Sequence, residues 1–129
     1  MTDMMMRMDS IRMAERKFAQ HAAPVFMYRL DWETPILEGV MRSPHGLDVP
    51  LVFDTVDKKL GVLGTGPEPR QIAALMSQAW INFARSGTPS QPALAWLAYD
   101  INARQTMLFN STSRMVSDPD GAARTFWGA

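Results

Sequence analysis

The sequence predicts an α/β fold in which a few helices surround one or two core strands. A nearly unbroken apolar and aromatic run opens the segment 25–32, as expected for a strand that is covered on both faces. Residues 70–85 repeat apolar side chains with the period of an α-helix. Stretches rich in proline and glycine separate these segments and mark turns. A strand buried between helices is typical of the α/β class.

The composition fits a single folded unit that spans residues 1–129. Apolar residues at 47% and charged residues at 20% are ordinary globular values, which argues against disorder. A chain of this length buries roughly two-thirds of its extended surface. No internal repeat, low-complexity tract or linker divides the sequence. We therefore expect one domain.

The charge balance and the lack of cysteine limit the kinds of partner and site that the chain can have. Thirteen basic and thirteen acidic side chains cancel, so electrostatics predicts neither nucleic acid nor an anionic membrane as a partner. The sequence has no cysteine, which excludes disulfides and cysteine-based metal sites and fits any compartment. Charged residues interrupt the methionine-rich start before a signal-peptide core could form, and no apolar run has membrane-spanning length. We expect no cofactor and no metal, and localisation is left open.

The first predicted element is an amphipathic helix with Asp3 as its N-terminal cap. Its apolar positions keep close to one face, opposite basic side chains; they are Met4, Met8, Ile11, Phe18 and Ala22. Pro24 ends this helix because it cannot continue the hydrogen-bond ladder. The strand 25–32 follows, and residues 32–35 leave the sheet.

Residues 39–46 are predicted to form a loop that carries His45 between Pro44 and Gly46. Proline restricts the backbone and glycine loosens it, so a turn is expected and the imidazole is presented rather than packed. From the residues alone, a lone loop histidine is more often solvated or part of the core than catalytic or metal-binding. The apolar residues 51–53 are expected to pack beneath it.

Residues 57–69 are predicted to be a surface loop because glycine and proline recur there. The glycines at 61, 64 and 66 do not follow a strand of a βαβ unit, so dinucleotide binding is not predicted. The clearest helix covers 70–85, and Gly87 lies just past its end. Its apolar positions are expected in the core; they are Ile72, Leu75, Met76, Ala79, Trp80 and Phe83.

Two further elements are predicted toward the end of the chain. Residues 106–109 are a candidate short edge strand after the polar turn 102–105. A short terminal helix is predicted beyond Asp118, ending near Phe126 and Trp127.

Four motifs follow one another along the chain. They are a tyrosine-bearing strand at 24–32, His45-Gly46-Leu47-Asp48-Val49-Pro50-Leu51-Val52-Phe53, Trp80-Ile81-Asn82-Phe83-Ala84 followed by Ser86-Gly87-Thr88-Pro89, and Trp96-Leu97-Ala98-Tyr99. Taken in this order, they resemble the C-terminal part of the type-B carboxylesterases, a family that includes cholinesterases and para-nitrobenzyl esterases. The likeness covers the chain from Asp3 to about Asp118, with Asp9 and Leu97 standing where family members often carry proline.

The resemblance implies a partial α/β-hydrolase fold and the chemistry of a serine esterase. In that family, the histidine at the position of His45 is the general base of a Ser-His-acid triad. Small-molecule carboxylic esters would be the substrates of the complete enzyme. The resemblance implies no metal and no cofactor.

Other parts of the family's machinery are missing from the sequence. No Gly-x-Ser-x-Gly elbow for the nucleophile occurs in the 129 residues, and the three-glycine run of the oxyanion hole is absent. The family's acid lies upstream of the tyrosine-bearing strand, hence outside this chain. Asp48 is not assigned as that acid, because the acid must reach Nδ1 of the histidine and leave Nε2 free. We expect its carboxylate to accept backbone N–H bonds in the turn.

Two hypotheses for the function follow. In the first, the chain is the last portion of a serine esterase and is inactive without the missing N-terminal portion of the fold. In the second, it is a non-catalytic relic or an interaction module that associates with another chain. The strand 25–32 needs neighbours on both sides, so we expect a helical but loosely packed chain that is prone to self-association.

Overall fold

The computed structural model describes residues 6–128 and contains a three-stranded sheet flanked by helices. The α-helices are α1 (Met8–Ala19), α2 (Asp48–Val52), α3 (Leu60–Leu63), α4 (Glu68–Ser86) and α5 (Gly121–Trp127). The strands are β1 (Met27–Leu30), β2 (Gln105–Phe109) and β3 (Arg114–Ser117). Short 3-10 turns cover Ile36–Gly39 and Val56–Lys58. The α/β class read from the sequence is therefore confirmed.

The sheet has the order β1, β2, β3. β1 runs parallel to β2, with Leu30 opposite Phe109, and β3 is antiparallel to β2. Residues 106–109 lie in a strand, as predicted, but the predicted edge position is wrong, because this strand is the central one of the three. Strand β3 was not predicted from the sequence, and its two ends are the polar residues Arg114 and Ser117.

The main core lies between the sheet and α2, α3 and α4. Met107 and Phe109 stand two residues apart on β2 and therefore share one face of the strand, and both are fully buried in this core. Thr106 faces the other side, where it lines a small cleft together with Ile11 of α1. Helices therefore cover both faces of β2. The core residues are Trp32, Leu47, Leu51, Val56, Leu63, Ile72, Ala73, Met76, Ala79, Trp96, Met107 and Phe109.

Helix α4 confirms the predicted helix and extends it by two residues at its start and by one at its end. It ends where Gly87 takes a left-handed backbone with φ 76° and donates its N–H to the carbonyl of Phe83. Ile72, Met76 and Ala79 are buried as expected. The placement of Phe83 in the core is wrong, since 49% of its surface is exposed.

Two predicted boundaries also change. The first helix is shorter than predicted, because the chain turns through a positive φ of 50° at His21; its expected cap Asp3 lies outside the described residues. The segment 57–69 is not a plain surface loop. It contains α3, and Leu63 at the end of α3 is fully buried in the main core.

Candidate active-site segment

His45 lies on a tight turn immediately before α2. The N–H of Leu47 donates to the carbonyl of Pro44 over 3.1 Å, and the N–H of Val49 donates to the carbonyl of Gly46 over 3.2 Å. Gly46 has φ 80°, a left-handed backbone that glycine adopts without strain. The turn read from the sequence is confirmed, and His45 is exposed on it.

The turn follows the carboxyl ends of the two parallel strands. Directly after β1, the N–H groups of Asp31 and Trp32 both donate to the carbonyl of Phe109, at 2.8 and 3.1 Å. Further along the loop, the hydroxyl of Ser43 donates to the carbonyl of Leu30, the last residue of β1, over 3.2 Å. His45 is therefore held near the edge at which α/β sheets place their reactive groups.

Helix α2 holds the turn in place on the C-terminal side of His45. Leu47 and Leu51 are 2% and 0% exposed and belong to the main core. Residues 51–53 were expected to pack beneath the histidine, and this is wrong for Phe53, which is 73% exposed. Val49 and Phe53 stand four residues apart and both are exposed, so they share the outer side of this segment.

Asp48 has a partner that the sequence did not reveal. Its Oδ2 accepts a hydrogen bond of 2.6 Å from the hydroxyl of Tyr28 on β1, so a phenol takes the place of the expected backbone N–H groups. Burial, together with the hydrogen bond to the Asp48 carboxylate, raises the pKa of Tyr28 well above its usual value. Within residues 6–128, no carboxylate is hydrogen-bonded to the imidazole of His45.

An apolar groove of about 190 Å³ opens beside Tyr28. The Tyr28 ring meets Trp80 edge-on, with centroids 5.0 Å apart and planes at 83°. The half-exposed Phe83 lies at the groove's surface. The sequence showed these aromatics as helix and strand residues but not the groove between them, whose lining is Phe26, Tyr28, Ala79, Trp80, Phe83, Pro89 and Trp96.

Over residues 6–128, no three side chains of histidine, aspartate or glutamate come together as metal ligands would. In the same part of the chain, none of the helices has the length and apolar character needed to cross a bilayer.

Comparison with known proteins agrees with this arrangement. The sequence model of the carboxylesterase family matches residues 1–127. The chain belongs to the carboxylesterase family. The resemblance read from the four motifs is thereby confirmed.

Individual carboxylesterases give the same result. The chain is 32% identical over 126 residues to the para-nitrobenzyl esterase of Bacillus subtilis, an alignment that covers 96% of this chain and 25% of that protein. A solved PNB esterase superposes with a TM-score of 0.82 and 31% identity, over 97% of this chain and 25% of the other. A Geobacillus stearothermophilus carboxylesterase at pH 6.2 superposes with a TM-score of 0.76 and 37% identity, over 91% and 24%. The chain thus spans about a quarter of the length of the carboxylesterases that it matches.

Proposed function

We propose that His45 is the general base in serine-dependent hydrolysis of carboxylic esters. A nucleophile, an oxyanion hole and an acid from outside these 129 residues would complete the site. The observation that carries this proposal is the position of His45, exposed on a fastened turn near the carboxyl ends of β1 and β2. A rigid support of this kind holds a reactive ring in a defined place.

In this scheme, the imidazole takes the proton of the serine hydroxyl while the serine oxygen attacks the ester carbonyl. The same proton then passes to the leaving alcohol, and an acyl-enzyme forms. In the second half-reaction, the same imidazole deprotonates a water molecule, whose oxygen attacks the acyl carbonyl. The bond between the acyl carbon and the serine oxygen then breaks, the imidazole returns the proton to that oxygen, and the carboxylic acid leaves. His45 would serve both half-reactions, first accepting a proton and then returning it.

The test supplies the missing portion, as a longer reading frame or as a chimera with the corresponding three-quarters of the Bacillus subtilis para-nitrobenzyl esterase. With p-nitrophenyl acetate as substrate, His45→Ala should lower turnover by at least about a thousandfold, because the serine loses its base. His21→Ala is the matched control, since it removes the chain's other histidine and should leave turnover unchanged. Retention of turnover in His45→Ala, or equal losses in both variants, would refute the assignment.

The unsupplemented chain provides the baseline. It should hydrolyse p-nitrophenyl acetate no faster than free imidazole at the same concentration, because it has neither the nucleophile's elbow nor the glycine-rich oxyanion hole. A saturable rate that a serine-directed phosphonate abolishes would contradict this expectation.

A second candidate function is that of a non-catalytic module. Two observations favour it. Among the described residues, β1 pairs with only one other strand, and Phe83 beside β1 is half-exposed. Reading the coding DNA upstream of Met1 separates the two candidates. A Gly-x-Ser-x-Gly codon run there, in frame or frameshifted, would favour the esterase portion.

A further inference from the structure

We propose that Tyr28 and Asp48 are positioning residues that hold the His45 turn against the sheet. This inference rests on the role proposed above for His45. It assigns to the pair no contact with substrate and no proton transfer.

Tyr28 and Asp48 join the sheet to the start of α2. Tyr28 lies within β1, opposite Met107 of β2, and Asp48 is the first residue of α2. Their hydrogen bond is 2.6 Å long and joins side chains twenty residues apart in sequence, both of them partly buried. A hydrogen bond to a carboxylate is shorter and stronger than one between neutral groups.

Aromatic rings surround Tyr28, the donor of this hydrogen bond. Besides Trp80, the Tyr28 ring meets Phe109 and Trp96 edge-on, with centroids 6.1 and 6.5 Å away. These three rings come from α4, from β2 and from the segment between them. The phenol hydroxyl is therefore held in one place by the same core that supports the sheet.

Asp48, the acceptor of this hydrogen bond, lies close to His45 along the chain. Asp48 stands three residues after His45, while Ser43 stands two residues before it and is bonded to the end of β1. The turn is thus tied to β1 on both sides of the histidine. The Tyr28 bond is the charge-assisted one of these two, and it is less exposed than the Ser43 bond.

The donor also keeps its proton under working conditions. Burial, reinforced by the hydrogen bond to Asp48, raises the pKa of Tyr28 above its already high ordinary value. The phenol therefore donates across the neutral and mildly alkaline range. Both oxygen atoms of this link are then fixed in role, with phenol as donor and carboxylate as acceptor.

The test follows amide hydrogen exchange in the chain itself. Tyr28→Phe and Asp48→Ala should each accelerate exchange at Leu47 and Val49 by about tenfold, since these amides close the turn and one charge-assisted hydrogen bond is lost. The double variant should exchange no faster than the more affected single variant. Asp48→Asn, which retains an acceptor oxygen, should stay within about threefold of the wild type.

The control is Tyr99→Phe, the same change at the chain's other tyrosine. Tyr99 is also buried, and burial raises its pKa to about 12, but it does not contact Asp48. Its exchange at the two turn amides should match the wild type. The amides of α4 report global unfolding in every variant. Their exchange rates should not rise in proportion to those of the two turn amides.

A kinetic readout separates positioning from general stability. In the completed esterase, Tyr28→Phe and Asp48→Ala should lower kcat by a similar factor and leave KM unchanged. With Asn in place of Ala at position 48, in Asp48→Asn, kcat should return toward the wild-type value. Unaltered exchange in Tyr28→Phe, additive effects in the double variant, or fast exchange of these amides already in the wild type would overturn the inference. Turnover that survives His45→Ala would instead refute the proposed function and leave the exchange result standing.

Discussion

Glu68 shows how a single exposed side chain can join distant segments. The indole Nε1–H of Trp32 donates to its Oε2 over 3.2 Å, and the hydroxyl of Ser111 donates to its Oε1 over 2.9 Å. These two hydrogen bonds lower the pKa of Glu68 below its ordinary value, and the bond from Trp32 has the larger effect. The ionised carboxylate therefore binds the segment after β1 to the turn after β2.

This link predicts an acid-sensitive contribution to stability. Because the folded-state pKa is depressed, the contribution is complete above about pH 4.5 and is lost as the pH falls through the lower, folded value. In Glu68→Gln, the urea midpoint should fall less steeply between pH 5 and 3 than in the wild type. Glu38→Gln is the matched control. Identical acid limbs for the wild type and Glu68→Gln would show that the link adds nothing.

For single residues, the sequence predicts features set by adjacent residues and does not predict contacts between residues that are distant along the chain. Pro44 and Gly46 adjoin His45, so the turn follows from their own backbone preferences. The bond between Tyr28 and Asp48 depends on where a strand and a short helix meet, and no spacing rule connects residues twenty positions apart. For the same reason, the backbone N–H groups expected as partners of Asp48 were the wrong ones.

Among the secondary-structure elements, α3 depends on the glycine that ends it. Gly64 has φ 77° and ψ 180°, a region that is essentially restricted to glycine. A Cβ at this position would lie 3.0 Å from Cγ of Pro35. The backbone of this residue therefore fits closely against the loop that leads to His45.

Gly64→Ala should destabilise the fold by roughly 1–3 kcal/mol, because it combines backbone strain with a close contact. Gly61→Ala is the matched control inside α3: nothing lies within 4 Å of its added Cβ, and alanine favours the helix. Chemical denaturation of both variants measures the difference. A Gly64→Ala variant as stable as Gly61→Ala would mean that the segment relaxes freely.

The elements differ in how well the sequence predicts them, and the reason is physical. Helix α4 repeats its apolar period over many turns, so its own pattern suffices. Helix α3 has only four residues, two of them Gly61 and Val62, and it depends on the burial of Leu63 in the main core. β2 was found, but its central place depends on β3, where polar residues flank Met115 and Val116.

For the molecule as a whole, the exposed edge of the sheet has a consequence in solution. Among the described residues, β1 pairs with β2 alone, and Phe83 beside it is 49% exposed. Unpaired edges next to apolar surface favour association. We expect the chain to self-associate and to bind the dye ANS.

Phe83→Ser should lower both the association constant and ANS binding, with sedimentation velocity as the measurement. Phe126→Ser is the matched control, because Phe126 is 77% exposed on α5, an element outside this surface. A wild-type chain that stays monomeric at all concentrations and ignores ANS would refute the prediction. Equal effects of the two variants would place the association elsewhere.

The parallel pairing of β1 with β2 sets an order of events in folding. The hairpin of β2 and β3 closes over residues 110–113, whereas β1 reaches β2 only across residues 31–104. Hairpins form in about 1–10 μs, while long-range pairing first requires the intervening chain to close a large loop. The hairpin should therefore form early, and β1 should join it later. The His45 turn, which is tied to β1, would then be among the last parts of the chain to reach its place.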